Sequence, residues 1–153
     1  MFNTAVVTYF HFFGIFVLLS SLVVELVLFK KDIHVKDAKT ILQADVFYGL
    51  ASILIMATGL LKMFVFGKGS AYYLHNHILW TKLMLFAIVG VLSIYPTIYF
   101  FKWRKVLKES SEIIVPQQKF IVIKRIIIIE IVIVFCIPFL ATLMARGFGY
   151  VPD

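Results

Sequence analysis

Four uninterrupted apolar runs constrain the fold of this chain more than any other feature. Each run exceeds the roughly 20 residues that a helix needs to cross a hydrocarbon core of about 30 Å. The runs are far longer than the roughly 10 alternating residues of a membrane β-strand, which excludes a barrel, and a helix satisfies its own backbone polar groups in lipid. The predicted spans are Ala5–Phe29, Ile41–Phe66, Ile78–Phe101 and Phe120–Met144.

The composition agrees with a membrane location. Of the 153 residues, 62% are hydrophobic and 15% are charged, whereas a soluble domain is about half apolar and a quarter charged. There is too little polar surface to cover a water-soluble globule. The sequence therefore predicts one all-α domain, residues 1–153, folded as an integral membrane four-helix bundle.

The basic residues are distributed unevenly between the connections, and this distribution predicts the orientation. The first and third connections and their flanks are rich in lysine and arginine, whereas the second connection has one lysine and the N-terminal tail has none. By the positive-inside rule, loops one and three are cytoplasmic and both termini lie outside. The net charge of +7 is thus placed at lipid headgroups, and nucleic acid is not expected as a partner. The residues concerned are Lys30, Lys31, Lys36 and Lys39, then Lys102, Arg104, Lys105, Lys108, Lys119, Lys124 and Arg125, with Lys68 in the second connection.

The ionisable residues inside or next to the predicted spans form two groups at different depths. The outer group contains histidines and cations without an acid: His11, Lys62, His75, His77, Lys82 and Arg146. The inner group mixes acids and bases: Glu25, Asp45, Lys124, Arg125 and, nearer the middle of the last helix, Glu130. Because a charge in the membrane is costly, these side chains are expected to face the bundle and find partners. Glu25 and Asp45 are expected to pair with basic groups, whereas Glu130 suits either a proton relay, a cation site or a satisfied structural acid.

The stretch AYYLHNHILWTK, residues 71–82, opens the third span with two histidines and a lysine. If the helix includes them, His75 and Lys82 are seven residues apart and share a face, whereas His77 lies about 200° around from His75. Interfacial anchoring of either histidine and snorkelling of Lys82 are the plain alternatives to a buried role. On the second span, Asp45, Gly49, Ser52, Met56 and Gly59 share a stripe whose small residues would allow close helix approach.

His11 lies two turns into the first span, at about the depth that Lys82 reaches in the third. Histidines from two helices could therefore converge in the outer half of the bundle, a geometry that suits haem b. In this hypothesis His11 is one axial ligand and His75 or His77 is the other. Lys82 would offset a haem propionate or a substrate carboxylate, assisted by Arg146, in redox or electron-transfer chemistry with a quinone or a porphyrin.

Nearly the whole chain resembles a bacterial family of four-helix membrane proteins, the domain-of-unknown-function 2214 family. The resemblance rests on His11, ADVFYGLASILIMATGL, AYYLHNHILWTK, IYPTIYFFKWR and LMARGFGY. It implies a multi-pass protein of the bacterial cytoplasmic (inner) membrane. In layout the chain is also similar to the HemJ-type protoporphyrinogen oxidases and the CopD-type membrane proteins, and the former resemblance implies haem-binding and oxidation roles for His11, His75 or His77, and Lys82.

Two other classes of function stay open. The chain could handle a proton or a small cation, with His11 and the outer histidines as binding groups and Glu25, Asp45 and Glu130 lining the inward route. It could instead be a non-catalytic membrane partner whose polar residues only set helix register. If the chain is an enzyme, a haem-dependent membrane oxidoreductase is the expected type, and a homodimer is plausible for all three classes.

Overall fold

The computed structural model describes residues 2–66, 73–107 and 112–150 and contains the four predicted helices. They are α1 (Phe2–Leu28), α2 (Val35–Leu61), α3 (His77–Val106) and α4 (Gln117–Ala145), and a π-helical turn, Lys62–Phe66, continues α2. All four are long and apolar enough to cross a membrane. The predicted all-α membrane bundle is therefore confirmed. Lys68 and Lys108, two of the lysines used to predict orientation, lie outside the described residues.

Each helix is longer than the apolar run that predicted it. The helices have 27 to 30 residues, so they are about 40 to 45 Å long at 1.5 Å per residue. The hydrocarbon core is only about 30 Å thick. The extra turns contain polar residues, such as those from Lys36 to Thr40 at the start of α2, because loss of hydrophobicity marks the headgroup region and does not end a helix.

A small two-stranded sheet, which the sequence did not predict, joins the first and third connections. Strand β1 (Asp32–His34) pairs antiparallel with β2 (Glu112–Ile114), with Ile33 opposite Ile113. Both isoleucines are buried while their neighbours are exposed, which is the alternation expected of a half-buried strand. We call this end of the bundle the strand end and the opposite end, which carries Phe2 and Tyr150, the termini end. The two connections predicted to be cytoplasmic therefore lie at the same end.

The helices pack as two hairpins. Helix α1 packs closely on α2, α3 packs on α4, and α1 contacts α4 to join the hairpins. The closest approach is at Gly14, where an added Cβ would lie 2.9 Å from Ile55 Cγ1. Helices α2 and α3 make little contact with each other. A groove about 510 Å³ in volume therefore separates them.

The part of α2 that packs on α1 differs from the stripe expected from the sequence. Asp45 of the expected stripe is buried, but the buried residues that follow it are Tyr48, Ala51 and Thr58, and Met56 is exposed. A Cβ added to Gly49 would meet no atom within 4 Å, so this glycine does not mediate close helix packing. The expectation of close approach at Gly49 was wrong because the large Tyr48 side chain, and not its small neighbour, turns into the bundle.

An aromatic cluster fills the core at the strand end. Phe29 lies just after α1, and its ring centroid is 5.6 Å from that of Phe100 and 5.6 Å from that of Phe120. Trp103 stacks on the same ring at 6.2 Å. Three of the four helices thus meet at Phe29. This contact positions α1, α3 and α4 around the polar residues that lie deeper in the bundle.

Candidate functional site

His11 lies between α1 and α2 at the termini end, where it contacts the second helix. Its Nδ1 atom is 2.9 Å from the hydroxyl oxygen of Thr58, and its Cε1 atom lies 3.7 Å from where a Cβ on Gly59 would be. The ring therefore lies beside Gly59, at a distance that a Cβ there would meet as an ordinary van der Waals contact. The stripe of α1 that contains Gly14, Leu18 and Glu25 faces the bundle, as expected for the ionisable Glu25.

The hydrogen bonds of Thr58 assign the tautomer of His11. The Thr58 hydroxyl is 2.6 Å from the carbonyl oxygen of Leu54, to which it donates its single hydrogen. It therefore accepts from His11, which places the ring hydrogen on Nδ1 and leaves a lone pair on Nε2. A neutral imidazole held in this way can accept a proton or coordinate a metal through Nε2.

Two lysines lie within electrostatic range of His11. Lys62 comes from the π-helical turn and Lys82 from the second turn of α3, and both are partly buried. The Lys62 ammonium is 6.0 Å from the ring centroid of Phe12. We call His11, Lys62 and Lys82 the cationic cluster, after its two lysines. It brings together three of the residues that the sequence placed in the outer group.

The structure corrects the interpretation of AYYLHNHILWTK. Helix α3 begins at His77, and His75 precedes it in a turn. The seven-residue spacing of His75 and Lys82 therefore does not place them on one helical face. The side chains of His75 and His77 are both exposed, and Arg146, which follows α4, is exposed as well.

Asn76, between the two histidines, holds this stretch in place. Its role was not predicted from the sequence. Asn76 is fully buried and caps α3, because its Oδ1 accepts a hydrogen bond from the Ile78 amide at 3.0 Å. Its Nδ2 donates to the Phe148 carbonyl at 3.0 Å. The His77 amide donates to the Gly149 carbonyl at 3.0 Å.

We call these contacts between residues 76–78 and 148–150 the clasp. Gly149 has a φ of +77°, and a Cβ there would lie 2.7 Å from Ile78 Cγ1. Only glycine fits both the left-handed backbone and the space. The segments AYYLHNHILWTK and LMARGFGY, far apart in the sequence, thus meet at one structural joint.

A second polar site lies in the half of the bundle toward the strand end, where all four helices contribute a residue. Glu25 of α1, Asp45 of α2 and Glu130 of α4 are 3%, 6% and 1% exposed, respectively. Each carboxyl lies within electrostatic range of the other two. Thr97 of α3 donates a hydrogen bond of 2.6 Å to Asp45 Oδ1. We call Glu25, Asp45 and Glu130 the carboxyl site.

In the described residues, the three acids of the carboxyl site are not balanced by basic side chains. Among the residues that the structure describes, none of the three carboxyls forms an ion pair with a basic side chain. The expectation that Glu25 and Asp45 pair with bases was therefore wrong. Lys124, one of the bases expected to pair, instead places its ammonium 5.2 Å from the ring centroid of Phe120.

Two oxygen atoms of this site have no hydrogen-bond partner within the described chain. They are Oε1 of Glu25 and Oε1 of Glu130, both fully shielded from solvent. Buried polar atoms are nearly always paired, so an unpaired atom calls for an explanation. In the described ranges no three His, Cys, Asp or Glu side chains converge closely enough to hold a metal ion. The site offers separate carboxyl groups and not a coordination shell.

Tyr48 and Thr97 connect the carboxyl site to the groove between α2 and α3. The buried Tyr48 lies within electrostatic range of all three carboxyls, and it lines the groove together with Asp45 and Thr97. Neither Tyr48 nor Thr97 was singled out from the sequence. A tyrosine three residues after Asp45 was visible in the sequence, but the partnership with Thr97 depends on how α2 and α3 are rotated.

Comparison with known proteins gives the family. No curated protein and no solved structure matches the chain. A family model described as a predicted membrane protein, domain of unknown function 2214, matches residues 3–149. The matched region includes both polar sites and all residues of the clasp except Tyr150. The chain therefore belongs to the domain-of-unknown-function 2214 family of predicted membrane proteins.

Proposed function

We propose that this protein binds and releases protons inside the membrane, and that the carboxyl site is where it does so. The observation that carries the proposal is the burial of Glu25, Asp45 and Glu130, which come from three helices and lie within electrostatic range of one another, without a basic partner in the described residues. A carboxylate costs far more to bury than a carboxylic acid. Ionisable residues in membrane spans are usually retained for function, and proton relays are a common role.

Several features favour a proton over a metal ion as the species handled. A proton needs one oxygen atom, whereas Ca²⁺ and Mg²⁺ need about six or more oxygen ligands around a common point. The carboxyls lie within electrostatic range of one another but do not form such a group. The unpaired oxygens of Glu25 and Glu130 provide positions where a proton or a water molecule completes the hydrogen bonding.

The depths of the three acids provide a path. Measured along each helix from its strand end at 1.5 Å per residue, Glu25 lies at about 5 Å, Asp45 at about 15 Å and Glu130 at about 20 Å. Glu25 is thus nearest the strand end and Glu130 nearest the middle of the bundle. Toward the termini end, Nε2 of His11, which carries no hydrogen in the tautomer assigned above, can also accept a proton. In this proposal protons move between the strand end and Glu130, and His11 serves the other half.

The test combines a spectroscopic and a functional measurement on purified protein in liposomes. Infrared difference spectra across a pH jump should contain the carbonyl band of a protonated carboxyl, and Glu130→Gln should remove part of that band. Proton flux driven by a pH gradient should fall in the same variant. Glu112→Gln provides a matched control, because Glu112 is an exposed acid in β2, outside the bundle.

The result that contradicts the proposal is equally definite. If Glu25→Gln, Asp45→Asn and Glu130→Gln all leave both the carboxyl band and the proton flux as they are in the unmodified protein, the three acids do not exchange protons. Their role is then structural, and the third class of function, a non-catalytic membrane partner, is favoured instead.

Haem binding in the half of the bundle toward the termini end is the second candidate, favoured by the hydrogen bonding of His11. A haem ligand commonly donates its other ring N–H to a neighbouring group, and Thr58 accepts such a hydrogen bond from Nδ1. The exposure of His75 and His77 fits a second axial ligand less well. Lys82, as a member of the cationic cluster, would neutralise a propionate.

Visible absorption of the detergent-purified protein tests this candidate. A Soret band that shifts on reduction and is lost in His11→Ala would support haem and with it an electron-transfer role with a quinone or a porphyrin. A preparation that stays colourless when titrated with haemin would remove it. The bacterial cytoplasmic membrane stays the predicted location for both candidates.

A further inference from the structure

We propose that the groove between α2 and α3 binds one anionic phospholipid, with an acyl chain along the groove and the phosphate on Lys102 and Lys105. The groove shares Asp45 with the carboxyl site, but the proposal does not depend on proton binding. It rests on the shape of the groove, its open sides and the two lysines at one of its ends.

The groove is open along its side toward the surrounding lipid, and we call it the slot. Its floor contains buried residues such as Tyr48 and Val89, whereas its rims consist of exposed apolar side chains, including Leu50 and Ile94. A Cβ added to Gly90 would meet no atom within 4 Å, so the slot is open at this point. A flexible hydrocarbon chain is the component of the bilayer that can enter such a space.

The slot has the length of an acyl chain. Its lining on α3 extends from Phe86 to Phe101, which is about 22 Å at 1.5 Å per residue. One leaflet contributes about 15 Å, half of the roughly 30 Å hydrocarbon core. A chain in the slot therefore reaches from the headgroup region past Asp45 to the middle of the bundle.

The charge at the strand end of the slot selects the headgroup. A second cavity, of about 490 Å³, continues the first one and shares Ile98 and Phe101 with it. It ends at Lys102 and Lys105, which lie one and two turns beyond Ile98 on the same side of α3. Two ammonium groups above an apolar slot match the phosphate of a lipid whose chain fills the slot. Anionic lipids are enriched in the cytoplasmic leaflet, which is where the sequence predicts this end to lie.

Native mass spectrometry of the full chain, delipidated in detergent and titrated with phosphatidylglycerol or phosphatidylcholine of matched chains, tests the proposal. One phosphatidylglycerol should be retained in preference to phosphatidylcholine. Lys102→Gln combined with Lys105→Gln should weaken this binding roughly ten- to thirty-fold, since each lysine near a lipid phosphate is worth about a factor of five. Lys30→Gln combined with Lys31→Gln is the matched control, because these exposed lysines follow α1 and do not line the slot.

A second variant tests the slot itself. Gly90→Leu should place a side chain in the slot, where an added Cβ meets no atom within 4 Å, and weaken phosphatidylglycerol binding without lowering the unfolding temperature. Equal losses in the two double-lysine variants would indicate a diffuse positive surface and overturn the proposal. So would equal affinity for the two lipids, or a dimer that occupies the slot and is lost in Gly90→Leu. Glu130→Gln should bind the lipid normally, which separates this result from the test of proton binding.

Discussion

Asn76→Ala should loosen the clasp, and its cost can be worked out from two hydrogen bonds. Loss of an N-cap side chain costs about 1 kcal/mol, and here the cap is the 3.0 Å bond from the Ile78 amide. Loss of the Nδ2 bond to the Phe148 carbonyl removes about another 1 kcal/mol. The free energy of unfolding should therefore fall by about 2 kcal/mol, measured by titration with sodium dodecyl sulfate in mixed micelles.

Asn76→Asp separates the two contributions. Aspartate caps a helix as well as asparagine does, so the bond from the Ile78 amide is retained. The second oxygen, however, faces the Phe148 carbonyl, and this pair repels. By hydrogen exchange, the Ile78 amide should stay protected in Asn76→Asp and lose protection in Asn76→Ala. The His77 amide, which donates to the Gly149 carbonyl, should exchange faster in both variants.

The control for this prediction is Asn3→Ala, because Asn3 is exposed in the first turn of α1. The reasoning is refuted if Asn76→Ala changes the unfolding free energy no more than Asn3→Ala does. It is also refuted if the protection of the His77 amide is the same in all variants. Either result would mean that the segment after α4 does not hold the start of α3.

Three further substitutions test the packing. Gly149→Ala should destabilise the protein by about 1–3 kcal/mol more than Gly147→Ala in the same titration, since both positions have positive φ but only Gly149 lacks space for a Cβ. Gly14→Leu should separate α1 from α2 and reduce the unfolding free energy by at least about 1–3 kcal/mol, and an unchanged value would contradict the close approach. Phe29→Ala should cost about 3–5 kcal/mol, whereas alanine at the exposed Phe16 should cost far less; equal losses would contradict a core role for Phe29.

The four helices could be predicted because each span needs only a long apolar run, which is a local property of the sequence. Their ends could not, because helix α2 starts at Val35, six residues before its apolar run. The sheet was missed because its strands have three residues each. Such strands have no stable local structure, and the pairing depends on two connections meeting in space.

The candidate site, like the fold, could be predicted only in part. The sequence identified Glu25, Asp45 and Glu130 as unusual because any acid in a membrane span is conspicuous. That the described residues contain no ionic partner for these acids could not be inferred, since it depends on the rotation of each helix about its axis. An asparagine just before an apolar run is a recognisable N-cap, so this role of Asn76 could be predicted. Its Nδ2 group, however, donates to the carbonyl of Phe148, which follows α4, and this contact could not be predicted.

The pairing of β1 with β2 has a consequence for how the chain inserts. Strand β1 lies between α1 and α2, and β2 lies between α3 and α4, so β1 is synthesised well before its partner. The two strands can meet only if α2 and α3 both cross the membrane, because two crossings return the chain to the side of β1. A chain in which one of these helices failed to cross would leave Ile33 and Ile113 separated by the bilayer. The sheet is thus a check that both helices have crossed, completed only when the chain has reached β2.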